Sequence, residues 1–143
     1  MRSNDDLKAE YLLIQNQYEA FDQRALSMKA LATPLLGAGI AFGVKEHSAE
    51  VLYATILVAA SLWLLEAIWK GFQYSLIARI QLLEAWFRGE GREDEPPFQI
   101  YTAFGQVHRQ QKLLHIVTRL GLPFVFLPYL VVIVACAAIL YWK

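Results

Sequence analysis

Residues 7–44 read LKAEYLLIQNQYEAFDQRALSMKALATPLLGAGIAFGV, and this one stretch joins two different environments. Its first part carries Leu7, Tyr11, Ile14, Tyr18, Phe21, Ala25 and Met28 in alternating steps of four and three, the seam of a packed amphipathic helix. Soon after Met28 the polar face disappears, and Ala30 to Val44 contains no charge. A helix that is amphipathic and then apolar all round is one that leaves water and enters a membrane. The strictly apolar part is short against the roughly 20 residues a span needs. Extending it back through Ala25 gives the length, with Lys29 expected to snorkel towards the headgroups.

Working outward, the chain repeats this pattern in reverse. Val51 to Trp69 is a second apolar run of sufficient length, and Trp69, Phe72, Leu76, Ile80, Leu83 and Phe87 continue it as a stripe in steps of three and four. Only Lys45-Glu46-His47-Ser48 separates the two runs, which allows a tight turn between antiparallel helices. Their amphipathic extensions are therefore expected to pack as an antiparallel pair. At the N-terminus Ser3, with Asp6 three residues on, suits a helix cap. Pro34 is expected to kink the first helix inside the bilayer.

Arg88 to Pro97 is hydrophilic and punctuated by glycine and proline, a connection. Helix resumes near Phe98, with Ile100, Phe104, Val107, Leu114 and Val117 on one side. Gly121 and Pro123 mark a break before Leu122 to Trp142, the most apolar segment of all. The expected fold is an all-α membrane protein forming a single domain over 1–143. It has three transmembrane helices at about 26–44, 50–69 and 122–142, the first two extending into a cytoplasmic helical bundle (about 4–25, 70–87 and 98–120).

Composition agrees: 57% of residues are hydrophobic and 18% charged. Thirteen basic and thirteen acidic residues cancel, so no nucleic-acid partner is expected. The first thirty residues are too charged for a cleavable signal peptide, leaving targeting to a span. Eleven Lys and Arg fall in the N-terminal segment and in Lys70 to Arg119, against Lys45 and Lys143 elsewhere. The positive-inside rule then places the N-terminus in the cytoplasm and the C-terminus outside a bacterial inner membrane. A lone Cys136 can form no internal disulfide and suits packing or lipid contact.

Several residues are candidates for function. Gly39 and Gly43 form a GxxxG pair in a span rich in small residues, Gly37 among them, and allow close helix approach either within one chain or between subunits. Glu66 is the one acid inside a predicted span; Lys70 follows at i+4, which suits either an interfacial ion pair or a pore-mouth role. Arg79, Arg88, Arg92, Arg109, Lys112 and Arg119 offer contacts to lipid phosphates or an anionic ligand. His108 and His115 share a helical face and suit a solvated, lipid-headgroup or ligand contact, while Arg109 and His115 have the Arg-x5-His spacing of some RNA-cleaving helical domains. Further ligands for a metal are missing, and no catalytic triad or carboxylate dyad has a reactive spacing, so no enzyme activity, metal or cofactor is expected.

The segment Glu10-Tyr11 through Phe21-Asp22, Arg24 and Lys29, leading into a tight transmembrane hairpin and a following helix, resembles the SLATT-type membrane effectors of bacterial defence systems. The resemblance covers roughly Asp5 to Phe87 and is architectural; the third span departs from the two-span pattern. It implies a homo-oligomer that perturbs the inner membrane when a partner senses infection. The functional expectation is a channel-like or membrane-perturbing effector gated through its cytoplasmic helices, in possible association with a cytoplasmic protein. The alternative is a non-conducting membrane anchor or scaffold for a soluble partner, marked by an apolar stalk face left exposed after internal packing.

Overall fold

A computed structural model of the chain describes residues 4–91, 95–110 and 113–142, with side chains 113 and 114 left aside. The expected caps and charges at Ser3, Arg92, Lys112 and Lys143, and the Leu114 side chain, lie outside the described residues. The described residues form five helices and no strand: α1 (Asn4–Lys45), α2 (Ala49–Phe87), α3 (Ile100–Gln110), α4 (Leu113–Leu120) and α5 (Pro123–Tyr141). Three of these, α1, α2 and α5, are long and apolar enough to cross a membrane.

Length explains why two of them have a dual character. At 1.5 Å per residue, the 42 residues of α1 and the 39 of α2 each extend roughly 60 Å, about twice a hydrocarbon core of ~30 Å. The hairpin therefore has an apolar half next to its turn and a polar half beyond. The turn itself is a Schellman closure. Ser48 N–H bonds to the Gly43 carbonyl (3.0 Å) and His47 N–H to that of Val44 (3.3 Å), with His47 in the left-handed position at φ 51°. Ser48 then caps α2, its hydroxyl accepting from Val51 N–H. The far end of α2 closes in the same way, with Gly89 at φ 80° and Glu90 N–H on the Ala85 carbonyl.

Two apolar clusters follow from this division. In the polar half Leu7 and Ile14 of α1 meet Leu76, Ile80 and Leu83 of α2, flanked by Tyr11, Tyr18, Phe21, Ile100 and Phe104. Both expected stripes thus face each other, and α3 lies against them. In the apolar half Ala32 and Leu36 pack with Ala59 and with Tyr129 of α5. Elsewhere this half turns outward: only 17%, 28% and 17% of the most apolar stretches of α1, α2 and α5 are buried. Leu31, Leu35, Leu57 and Val131 are among the side chains left uncovered. An apolar surface of this size is compatible with helices in contact with lipid.

The structure departs from expectation in detail. The helix α1 runs unbroken past Pro34, whose ring supplies no N–H to it. The helix expected from Phe98 starts at Ile100 because Phe98 has a φ of 59°, outside helical geometry. Pro123 occupies the first turn of α5, where its missing N–H costs nothing.

Candidate functional site

Charged and amide side chains lie on the seam between α1 and α2 in three tiers. The outermost is centred on Arg79, which is 3% exposed. Its Nε and Nη2 donate to the two carboxylate oxygens of Glu10 at 2.9 and 3.0 Å, the bidentate fork that suits a guanidinium. Nη2 also donates to the Pro96 carbonyl (2.8 Å) and Nη1 to Glu95. Glu10 is fully buried and accepts a further bond from Phe98 N–H at 2.7 Å. One guanidinium thus joins α1, α2 and the segment leading to α3. Burial alone would depress the Arg79 pKa, but the carboxylates of Glu10 and Glu95 outweigh it and hold the pKa above its ordinary value.

The middle tier is centred on Lys70. Its ammonium donates to Asp22 (2.5 Å) and to Gln73 Oε1 (2.6 Å), while Gln73 Nε2 donates to the Tyr18 carbonyl across the seam (3.0 Å). The same ammonium stands 5.0 Å from the Phe124 ring of α5. Burial works against ionisation of Asp22, yet the hydrogen bonds from Lys70 and Gln73 and the Lys70 charge prevail and keep its carboxyl below the usual range.

The innermost tier lies in the apolar half. Glu66 is 1% exposed. Tyr129 of α5 donates its hydroxyl to Glu66 Oε2 at 3.0 Å, and Lys29 Nζ lies 2.8 Å from Oε1, a charge contact without hydrogen-bond alignment. The Lys29 ammonium instead directs a hydrogen bond to the Phe124 carbonyl (2.6 Å), so α1, α2 and α5 converge on one carboxylate. Near this level the Trp63 indole donates to the Leu120 carbonyl (3.0 Å), whereas the buried Trp69 Nε1 has no hydrogen-bond partner among the described residues.

Three expectations are corrected by this arrangement. Glu66 and Lys70 do not pair with each other: Glu66 takes Lys29, and Lys70 takes Asp22. An i,i+4 pair contributes only about 0.3–0.5 kcal/mol on a helix surface, and it would have left Lys29 and Asp22 uncompensated beside it. Lys29 therefore turns inward rather than snorkelling outward. Arg79 is no lipid or ligand contact, because it is buried and four of its N–H donors bond to Glu10, Glu95 and Pro96 inside the fold.

The glycines separate into two kinds. Gly39 faces the Thr55 side chain and Gly43 faces Leu52, where an added Cβ would come within 2.7 Å of Leu52 Cδ2. Both serve close approach of α1 and α2 within the chain. Gly37 has nothing within 4 Å of a Cβ position and so takes no part in that contact. His108 and His115 are not brought together. His108 stacks on Phe104 at 5.6 Å between ring centroids and lies near Phe72, while His115 borders Tyr74 and Arg119. Arg109 is exposed on α3 beside His108. Cys136 is buried in α5. No group of three metal-ligating side chains converges among the described residues.

Glu10, Asp22, Lys29, Gln73, Glu95 and Tyr129 were not singled out by spacing alone. A signal was present for two of them: Glu10 lies between Leu7 and Ile14, and Gln73 three residues before Leu76, both in phase with the apolar stripes. A charged or amide group on a packing seam announces a buried partner. The chain matches no protein-family model, no curated protein and no solved structure.

Proposed function

We propose that this protein is a multi-pass membrane anchor that holds a helical bundle at the cytoplasmic face of a bacterial inner membrane for a soluble protein partner to engage. The observation that carries this reading is self-sufficiency of the apolar half. Within one chain Glu66 is neutralised by Lys29, its second oxygen is taken by Tyr129, and the close-approach glycines Gly39 and Gly43 are used against α2. Among the described residues, the outward surface of this half presents large apolar side chains, Leu31, Leu35, Leu57 and Val131 among them. The stalk meanwhile keeps uncovered leucines after its own core is packed: Leu12 at 54%, Leu13 at 44% and Leu82 at 39% exposure. That is the mark by which an anchor with a docking partner differs from a closed bundle.

A second reading is a homo-oligomeric, channel-like or membrane-perturbing effector of the SLATT type, acting in antiviral defence. It is favoured by the two unbroken helices α1 and α2, which would carry a displacement at the stalk directly into the spans. Reconstitution into liposomes separates the two. The anchor reading expects sealed vesicles and binding of the partner that is lost in Leu12→Glu/Leu13→Glu. Ion release above that of protein-free liposomes, from particles of defined multiple copy number, overturns it in favour of the effector.

A further inference from the structure

α5 rests mainly on α2, and its buried side chains Val125, Tyr129 and Cys136 recur in steps of four and seven along one face. Between α5 and α1 lies a crevice of about 320 Å³, lined by Lys29, Ala32, Thr33, Pro128, Tyr129 and Val132. Beside the contact of Ala32 and Leu36 with Tyr129, what joins these two helices is polar. Pro128 sits inside α5 and has no N–H, so the carbonyl of Phe124, four residues before it, lacks its helical donor. Lys29 of α1 supplies the replacement, donating to that carbonyl at 2.6 Å. The ammonium is held there by Glu66 of α2, 2.8 Å away. Tyr129 bonds the second Glu66 oxygen at 3.0 Å, and the Lys70 ammonium lies 5.0 Å from the centroid of the Phe124 ring.

We infer that these groups form a charge clasp, which makes α5 a strap that releases from the hairpin when the Glu66 charge is removed while the hairpin itself stays folded. The parts depend on one another in a definite order. Glu66 holds the Lys29 ammonium by charge within an apolar layer, where an unpaired ammonium is costly. Lys29 in turn satisfies a backbone oxygen that its own helix leaves bare, and such an oxygen is costly in apolar surroundings unless it is bonded. Without the Glu66 charge, one carbonyl is a poorer partner for an ammonium than water is, and the long Lys29 stem lets the ammonium turn outward. α5 then loses its tie to α1, and Tyr129 keeps at best a neutral acceptor on α2. The hairpin has its own support: the cluster of Leu7, Ile14, Leu76, Ile80 and Leu83 and the Arg79–Glu10 fork involve no residue of α5.

The chain carries its own reporter. Cys136 is its single cysteine and is fully buried on the same face of α5 as Tyr129, so alkylation by N-ethylmaleimide in detergent micelles reads release of α5. Glu66→Gln keeps the shape and an acceptor for Tyr129. It should raise the alkylation rate about tenfold, the order of one hydrogen bond to a charged group, with hydrogen exchange around Arg79 unchanged. Lys29→Met/Glu66→Gln, which leaves neither charge unpaired, should do the same. Pro128→Ala gives the Phe124 carbonyl an N–H from its own helix, so in that background the same pair of changes should raise the rate by about twofold at most. An unchanged rate in Glu66→Gln, or an equal effect of the pair with and without Pro128, would overturn the clasp. So would loss of amide protection around Arg79 in Glu66→Gln, which would make the charge a support of the whole fold.

Discussion

Replacing Arg79 with methionine tests the outermost tier most directly. The substitution keeps most of the side-chain volume and removes a charge that meets Glu10 through bonds of 2.9 and 3.0 Å. Glu10 is fully buried and keeps only the Phe98 N–H as a donor, so its carboxylate becomes an uncompensated interior charge. Breaking a buried pair from one side costs about 3–5 kcal/mol. For a chain of this size that corresponds to a fall in Tm of roughly 10–15 °C, read as thermal unfolding in detergent micelles. The double variant Arg79→Met/Glu10→Met removes both charges. It should recover most of the loss, leaving about 1–3 kcal/mol for Phe98 N–H without its acceptor. Glu95 is partly exposed and can turn to water. Hydrogen exchange should report the loosening in α1 residues 7–21 and α2 residues 73–84, with α5 unaffected. An Arg79→Met protein melting within about 3 °C of wild type, or a double variant less stable than the single one, refutes the reasoning.

Two other predictions concern the seam. Gly39→Leu and Gly43→Leu should each destabilise the hairpin by about 1–3 kcal/mol through overpacking against Thr55 and Leu52, without a change in copy number, whereas Gly37→Leu should be near neutral in the same melting assay. Asp22 supplies a pH dependence. Its folded pKa is lowered, so its stabilising contribution is present above the ordinary aspartate pKa of about 3.9 and disappears as pH falls through the lower folded value. The stability difference between wild type and Asp22→Asn should therefore be evident at neutral pH and vanish in acid; a difference that persists unchanged below pH 3 excludes the Lys70 contact as its source (a pH set roughly one unit under the ordinary value).

Much of the architecture was legible in the residues. The steps of Leu7, Tyr11, Ile14, Tyr18 and Phe21, and those of Leu76, Ile80 and Leu83, identified two faces that do pack together. The four-residue connection left the helices no arrangement except an antiparallel one. The candidate site was legible only in part. Glu66 and Lys70 were recognisable as groups needing partners, but the partners assigned by spacing on α2 were the wrong ones. Lys29 and Asp22 lie far away in sequence, and nothing in either local pattern says which residue of α1 stands opposite which residue of α2.

Sequence by itself determined the helices, their lengths and which of them are apolar enough for a membrane, because hydrophobic periodicity and run length are properties of a single helix. Only the tertiary structure decided who neutralises whom, where Gly39 and Gly43 point, and that Arg79 is buried. The register of one long helix against another sets those outcomes. Inside a packed seam a charge is governed by the opposite charge it can reach with good geometry, not by its nearest neighbour in the chain.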